Sequence, residues 1–402
     1  MRQEHPPQPE AGAAVPLSPP SHATPPPRPP RRRLRHLATA AAATLVALLL
    51  TACGGGLEPG ASTASGGASR ASSVPLTYLS AGSAGGRLSV PRLQATVRIG
   101  SRSANLLVDT GSTGLKVLAS AVGDDATPTG ATGSSSFLSG LKISGREARA
   151  TLRLGAATAD NQTILLVDSL GCVDQAPDCA AAHGGTPEEF GGVFDGILGI
   201  GMAERDQGVK GCCANPMSGL TGDGSFIVHF DEEHPQLRLN PPPGTVARFR
   251  TADLKRTVTA RPRPGAAPTA MTSWDPAPMK ACLTVTGVLD HECAPVVFDT
   301  GTPTLALEAP RPAGPALGTL LPGGVVDTYG RQVALTVTSA DWTWTYRMPT
   351  KEALSQPLNA LSTPLLSYGR QEQAVIIAGL PAFTKVDVLY DLRGGRTGLA
   401  PR

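Results

Sequence analysis

The sequence predicts a mainly β chain of two similar halves, on three observations. Gly (46) and Pro (38) are abundant, aromatics make up 4 %, and no long amphipathic helical pattern stands out, which favours short strands and loops. An apolar run closing on Asp-Thr-Gly plus a hydroxyl residue occurs twice, as "LLVDTGS" ending around Asp109 and "VVFDTGT" around Asp299, 190 residues further on. Each copy has a matching downstream piece with glycine in an apolar run, "GGVFDGILGIG" at 191–201 and "AVIIAGLPAF" at the start of 374–401. Glycine there lets one strand cross close to another. With 402 residues there is room for two domains of about 100–200 residues each.

The N-terminus reads as an address. Residues 1–30 are Pro-rich and lack the apolar content to build a core, so they are expected to be disordered. "RRRLRHLATAAAATLVALLLTAC" then gives a basic cluster, an apolar run of signal-peptide length and Cys53. The ending "LLTAC" resembles a bacterial lipobox, which implies that Cys53 is lipidated and becomes the mature N-terminus. A simple membrane anchor or uncleaved tail is the competing reading. Gly54 follows, with no Asp to suggest inner-membrane retention, so the expected address is the outer membrane, facing the periplasm. "GGGLEPGASTASGGASRASS" reads as a flexible tether. The expected division is 1–52 as disordered stretch and signal peptide, 53–75 as lipid anchor and linker, 76–230 as N-terminal β lobe and 231–402 as C-terminal β lobe. The net charge of +3 comes from this leader: residues 1–52 carry six Arg and two Glu, leaving 29 basic and 30 acidic residues in the body. A near-neutral body gives no electrostatic reason to expect nucleic acid as a partner.

Six cysteines follow Cys53, and an even number in an exported chain suggests disulfides. Cys282 and Cys293 flank "LTVTGVLDHE", two short runs that look like hairpin arms, and are expected to pair. Cys172 and Cys179 could close a local loop, or either could reach Cys212 or Cys213; the sequence leaves the connectivity open. A zinc site competes weakly, since no C-x-x-C or His-paired spacing occurs. His183, His229, His234 and His291 have no ligand spacing, and His5, His22 and His36 precede Cys53. No metal and no cofactor are expected. A G-x-S-x-G elbow, an H-E-x-x-H pair and a P-loop are all missing from the sequence.

Over roughly residues 90–402 the chain resembles the pepsin-like, bilobal aspartic peptidases, family A1 in type. The paired Asp-Thr-Gly turns carry the resemblance, together with "FDGILGIG" and the C-terminal "VLYDLRGGRTGLAP". It implies two β-rich lobes with a cleft between them and an Asp109/Asp299 dyad at the cleft floor. Two carboxylates at hydrogen-bond distance cannot both ionise easily, so they share a proton, one acting as base toward water and the other as acid; this is the known logic of aspartic proteases. Gly111 and Gly301 allow backbone N–H groups to approach the carboxylates. Ser112 and Thr302 can each donate a hydroxyl hydrogen bond to the nearby aspartate. By resemblance, Thr110 and Thr300 exchange hydrogen bonds across the lobe interface.

The chain departs from the family at the flap. Relatives carry a flap tyrosine hydrogen-bonded to a tryptophan shortly after the first turn; here Lys116 stands at the tryptophan position and the flap candidate is Phe137. The stretch between Asp109 and that flap is also short, and a basic propeptide is not evident, residues 54–75 holding only Arg70 as a base. Trp274, Trp342 and Trp344 read as strand aromatics, with subsite lining as the alternative. The expected function is an envelope-anchored, monomeric aspartic endopeptidase acting on extended polypeptide and held to the membrane by its N-terminal lipid. The alternative is a weakly active or inactive lipoprotein that binds peptides or an envelope partner in the same cleft.

Overall fold

The computed structural model describes residues 70–402 except 138, 175, 203–211, 264–265, 288, 309–319, 322–324, 327–331, 340–341, 349–360 and 363–373. Cys53, the leader and the first three histidines lie outside the described residues. Among the described residues the chain is mainly β, and no helix is long and apolar enough to cross a membrane. The expected two-lobed architecture is present, each lobe built around one Asp-Thr-Gly turn.

The first half forms an eight-stranded sheet. Its centre is three adjacent strands, Arg102–Asp109, Gly196–Ile200 and Thr113–Leu118. The Arg102–Asp109 strand runs into the first turn, Thr113–Leu118 leaves it, and Gly196–Ile200 threads between them, parallel to the first and antiparallel to the second. That insertion needs close backbone approach: a Cβ on Gly199 would lie 2.6 Å from the Gly114 carbonyl oxygen. The strands are buried on both faces, so their sequences read as continuous apolar runs instead of alternating. Leu106, Val108 and Leu198 face the main core, whereas Leu107, Ile197 and Leu165 face a second cluster with Phe190 and Phe194. By contrast, Arg92–Ile99 alternates, sending Leu93, Ala95, Val97 and Ile99 into the main core.

The second half repeats the plan. Leu289–Phe298 runs into the second turn, Leu305–Glu308 leaves it, and Val375–Ala378 lies between them with the same pair of orientations. The equivalence extends to the backbone. Gly201 N–H donates to the Ser112 carbonyl at 2.8 Å, and Leu380 N–H donates to the Thr302 carbonyl at 2.9 Å. Phe298, 2 % exposed, anchors this half against Phe383 and Trp344 at ring separations of 6.0 and 6.5 Å.

A six-stranded sheet draws on both halves. Its order is Ser72–Pro75, Gln236–Leu239, Ser225–His229, Val386–Asp391, Arg396–Pro401 and Arg250–Asp253. Two expectations change here. Ser72–Pro75, placed in the tether, is a strand paired with Gln236–Leu239. The boundary drawn at 230/231 falls inside the antiparallel pair Ser225–His229 and Gln236–Leu239. The "VLYDLRGGRTGLAP" segment forms the antiparallel strand pair Val386–Asp391 and Arg396–Pro401.

Cys282 and Cys293 face each other in register on adjacent strands and are bonded. Of the connectivities left open, Cys172 bonds Cys179, and the adjacent Cys212 and Cys213 are paired with each other. Trp274, Trp342 and Trp344 are partly buried against the main core, as strand aromatics, and Trp342 Nε1 donates to the Thr251 carbonyl at 3.2 Å. The Cys282–Cys293 bond closes a loop with a sequence separation of 11. Removing both sulfurs (Cys282→Ser with Cys293→Ser) is expected to lower the unfolding free energy by about 2–3 kcal/mol. Non-reducing urea denaturation against the unaltered protein checks this; an unchanged midpoint would show that the strand pairing alone holds the hairpin.

Candidate active site

Each aspartate sits where a buried strand stops and its turn begins, and each turn folds its own polar groups back onto the carboxylate. Asp109 Oδ1 accepts from the Gly111 N–H at 2.8 Å and the Ser112 N–H at 3.1 Å, while Oδ2 accepts from the Ser112 hydroxyl. Asp299 Oδ1 accepts from the Gly301 N–H at 2.7 Å and Oδ2 from the Thr302 hydroxyl at 2.6 Å. The six expected supporting residues, Thr110, Gly111, Ser112, Thr300, Gly301 and Thr302, are therefore all at the two turns' contact. Asp109 and Asp299 are 6 % and 8 % exposed, and a Cβ on Gly301 would lie 2.7 Å from Asp109 Oδ1 and 3.1 Å from Asp299 Oδ1, so the two carboxyl groups adjoin.

The two turns interlock at the threonines. Thr110 N–H donates to Thr300 Oγ1 at 3.2 Å, and Thr300 N–H donates to Thr110 Oγ1 at 3.0 Å. Each hydroxyl then donates to the opposite half: Thr110 Oγ1 to the Phe298 carbonyl at 2.8 Å and Thr300 Oγ1 to the Val108 carbonyl at 2.7 Å. Both residues are buried, and each hydroxyl in the exchange donates one bond and accepts one. The glycines make the approach possible. A Cβ on Gly111 would lie 2.4 Å from the Asp299 carboxyl carbon, and one on Gly301 would lie 2.7 Å from Asp109 Oδ1. Any side chain at either position would push the carboxyls apart.

Electrostatics separates the pair. Burial, then the charge of Asp109 and the hydrogen bond from its carboxyl, push the Asp299 carboxyl up to about 7, against the opposing hydrogen bonds of Thr302 and Gly301. Asp109 gathers three donors from its own turn and Asp299 two. Near neutrality the pair can therefore hold one proton, on the Asp299 carboxyl.

Several neighbours escaped the sequence reading. Arg92, buried, donates from Nη1 to the Gly301 carbonyl at 2.8 Å and pairs with Glu188. Glu189 beside it has its carboxyl raised, by burial first and with Asp109 among the contributors. Tyr390 donates to the Phe298 carbonyl at 3.0 Å beneath the interlock, and burial pushes its phenol up. Asn215 caps the helix Pro216–Thr221 through the Met217 N–H at 2.9 Å and ties it by Nδ2 to the carbonyls of Ile200 and Gly201. Only Asn215 has a local signature, an N-cap residue followed by Pro.

Phe137 stands at the tip of the hairpin between Thr127–Ser136 and Leu141–Leu154, its N–H bonded to the Leu141 carbonyl. It packs toward Phe190 at 6.4 Å, and the Lys116 ammonium lies 5.9 Å from its ring centre. The two positions expected to carry tyrosine and tryptophan do meet, as an aromatic ring and a cation. Cys282, His291 and Cys293 place donor atoms within 4.8 Å of one another on the far hairpin, but the two sulfurs are bonded to each other, which leaves one imidazole as a ligand.

Three comparisons bear on this arrangement. A family model described as a protein of unknown function (DUF3443) matches residues 98–220, the part that holds Asp109 but not Asp299. None of the curated proteins matches the chain. Among solved structures, the chain is similar to an aspartic proteinase from Irpex lacteus, at 19 % identity and a TM-score of 0.51, covering 83 % of this chain and 97 % of that one. The likeness is one of fold.

The raised Asp299 carboxyl has a thermodynamic consequence. Folded Asp299 keeps its proton up to about 7, whereas the ordinary value is 3.8. The stability this contributes is complete below about pH 4 and is lost as pH rises toward 7. Thermal melts are therefore expected to show the unaltered chain losing stability relative to Asp299→Asn across pH 4 to 7; parallel pH profiles would contradict the raised carboxyl.

Proposed function

We propose that the chain is an aspartic endopeptidase that hydrolyses peptide bonds with a water activated between Asp109 and Asp299. The observation that carries the reading is the buried, adjacent carboxyl pair held by interlocked turns. The fold shared with the Irpex lacteus aspartic proteinase supports it. In this reading Asp109, the carboxylate with more donors from its own turn, takes a proton from water as the water oxygen bonds to the substrate carbonyl carbon. Asp299 gives its proton to the carbonyl oxygen. The tetrahedral adduct collapses when the C–N bond breaks, the nitrogen leaving with the proton held on Asp109 and the new hydroxyl returning one to Asp299. The supporting donors are in place before substrate arrives, so no reorganisation is needed as charge moves. The substrate is extended polypeptide lying between the lobes, and the enzyme acts as a monomer without metal or cofactor.

A second reading, a peptide-holding module without turnover, is favoured by one observation. The hairpin tip carries Phe137 packed toward Phe190 and Lys116, with no tyrosine hydroxyl to reach into the site. Address is part of the proposal as well: export by the N-terminal leader, lipidation at Cys53 and attachment to the outer membrane facing the periplasm.

Two measurements test these readings. Cleavage of an unfolded protein panel between pH 3 and 7 is expected for the unaltered chain and to fall by at least about 10²-fold in Asp109→Asn and in Asp299→Asn. Equal peptide binding by all three proteins with no cleavage would replace the first reading by the second. Cys53→Ser is expected to move the protein from the membrane pellet to the soluble fraction; continued sedimentation with membranes would overturn the lipid anchor.

A further inference from the structure

Lys116 is the feature that the peptidase reading leaves unused. Its side chain is 2 % exposed, on the strand leaving the first turn, yet it ends in an ammonium group. Nζ donates to the carbonyl of Thr113 at 2.8 Å, to the carbonyl of Gly114 at 3.3 Å and to the Ser112 hydroxyl oxygen at 3.3 Å. The same hydroxyl spends its own proton on Asp109 Oδ2. Lysine, serine and aspartate thus form a directed chain whose polarity is fixed, since an ammonium has no acceptor and the serine has one proton to give. The Phe137 ring closes the outer side of the ammonium. Burying a cation is costly unless a compensating charge is near, and Asp109 is the carboxylate at the end of its chain.

We propose that Lys116 is a positioning residue whose buried positive charge, relayed through Ser112, holds Asp109 as the ionised member of the pair and sets the acid limit of the working pH range. The proposal rests on the peptidase reading and adds its regulation by pH. Burial brings the Lys116 ammonium down to about 8, against the raising effect of Asp109, so it remains charged through the range in which the pair titrates.

Other charges face these groups among the described residues. The charge of Asp109 is felt by Asp299 on the second turn, by Glu189 in the segment before Gly196–Ile200 and by Tyr390 in the C-terminal strand pair. Arg92 and Glu188 stand paired at the Gly301 carbonyl. Around Lys116 the adjoining strands place Leu165 and Ile197 opposite it. Glu147 lies one strand beyond Leu165 in register, and Asp195 is turned to the Asn105 N–H. Lys116 is the cation in direct hydrogen-bonded sequence with Asp109; the other cation named here, Arg92, is neutralised by Glu188.

The test compares the full unaltered chain with Lys116→Met, which removes the charge at similar length, and Lys116→Arg, which keeps it; Lys116→Gln replaces the Met variant should that fail to fold. In pH–rate profiles of peptide cleavage, the acid limb is expected to move upward by about one pH unit or more in the neutral variant and to stay in place in the arginine variant. Coincident acid limbs in all three would overturn the proposal while leaving the peptidase reading intact. A second readout needs no turnover. A double-mutant cycle on unfolding free energy with Lys116→Met and Asp109→Asn is expected to show favourable coupling at pH 7 that fades toward acid pH. Coupling that is zero, or constant with pH, would overturn the charge relay. Fading coupling without any proteolysis would uphold the relay and count against the peptidase reading alone.

Discussion

The exchange of hydrogen bonds between Thr110 and Thr300 is the constraint on which the rest of the site depends. Two carboxyl groups brought together out of water repel each other once both ionise, and nothing in their own chemistry keeps them together. The threonines supply that hold with four bonds in which each hydroxyl both gives and receives across the boundary between the halves. Because the acceptors Phe298 and Val108 immediately precede Asp299 and Asp109 in sequence, the same bonds fix where each aspartate emerges from its strand. Partial loss would strand buried polar groups without partners, which is why such a network is worth having only when complete.

Around that shared centre the chain has built a charged environment. The groups surrounding the carboxyls are charged: Lys116 on one side, Arg92 with Glu188 and Glu189 on another. A fold determines where two strands end; the residues flanking them determine how strongly each carboxyl holds its proton. Burial and neighbouring charge act in opposite directions on Lys116, and burial and neighbouring charge act in the same direction on Asp299.

What was legible in the sequence was the part encoded locally and twice. Asp-Thr-Gly with a following hydroxyl, and the glycine-bearing runs at 191–201 and 374–401, each announce a strand end or a close crossing by residue type alone. The in-register cysteines at 282 and 293 were readable for the same reason, since a short hairpin sets its own pairing. Arg92, Glu189 and Tyr390 were not, because each acquires its role from a partner far along the chain whose approach only the tertiary fold decides. Arg92 and the Gly301 carbonyl are 209 positions apart. Lys116 was visible as a departure from an expected tryptophan, but a lysine in a strand gives no local sign that its ammonium will be buried facing Ser112. The adjacent Cys212 and Cys213 were hidden by their spacing, which looked like two independent reaches toward Cys172 or Cys179.

The six-stranded sheet also bears on how the molecule is made. Ser72–Pro75, at its edge, waits for Gln236–Leu239, and Ser225–His229 takes its second neighbour from Val386–Asp391. Ser72–Pro75 and Ser225–His229 find a partner once Gln236–Leu239 is made, but the second edge of Ser225–His229 stays open until the last stretch of polypeptide arrives. Such long-range closure slows assembly and exposes open strand edges meanwhile. A chain interrupted near its end would leave one edge of Ser225–His229 without its strand partner.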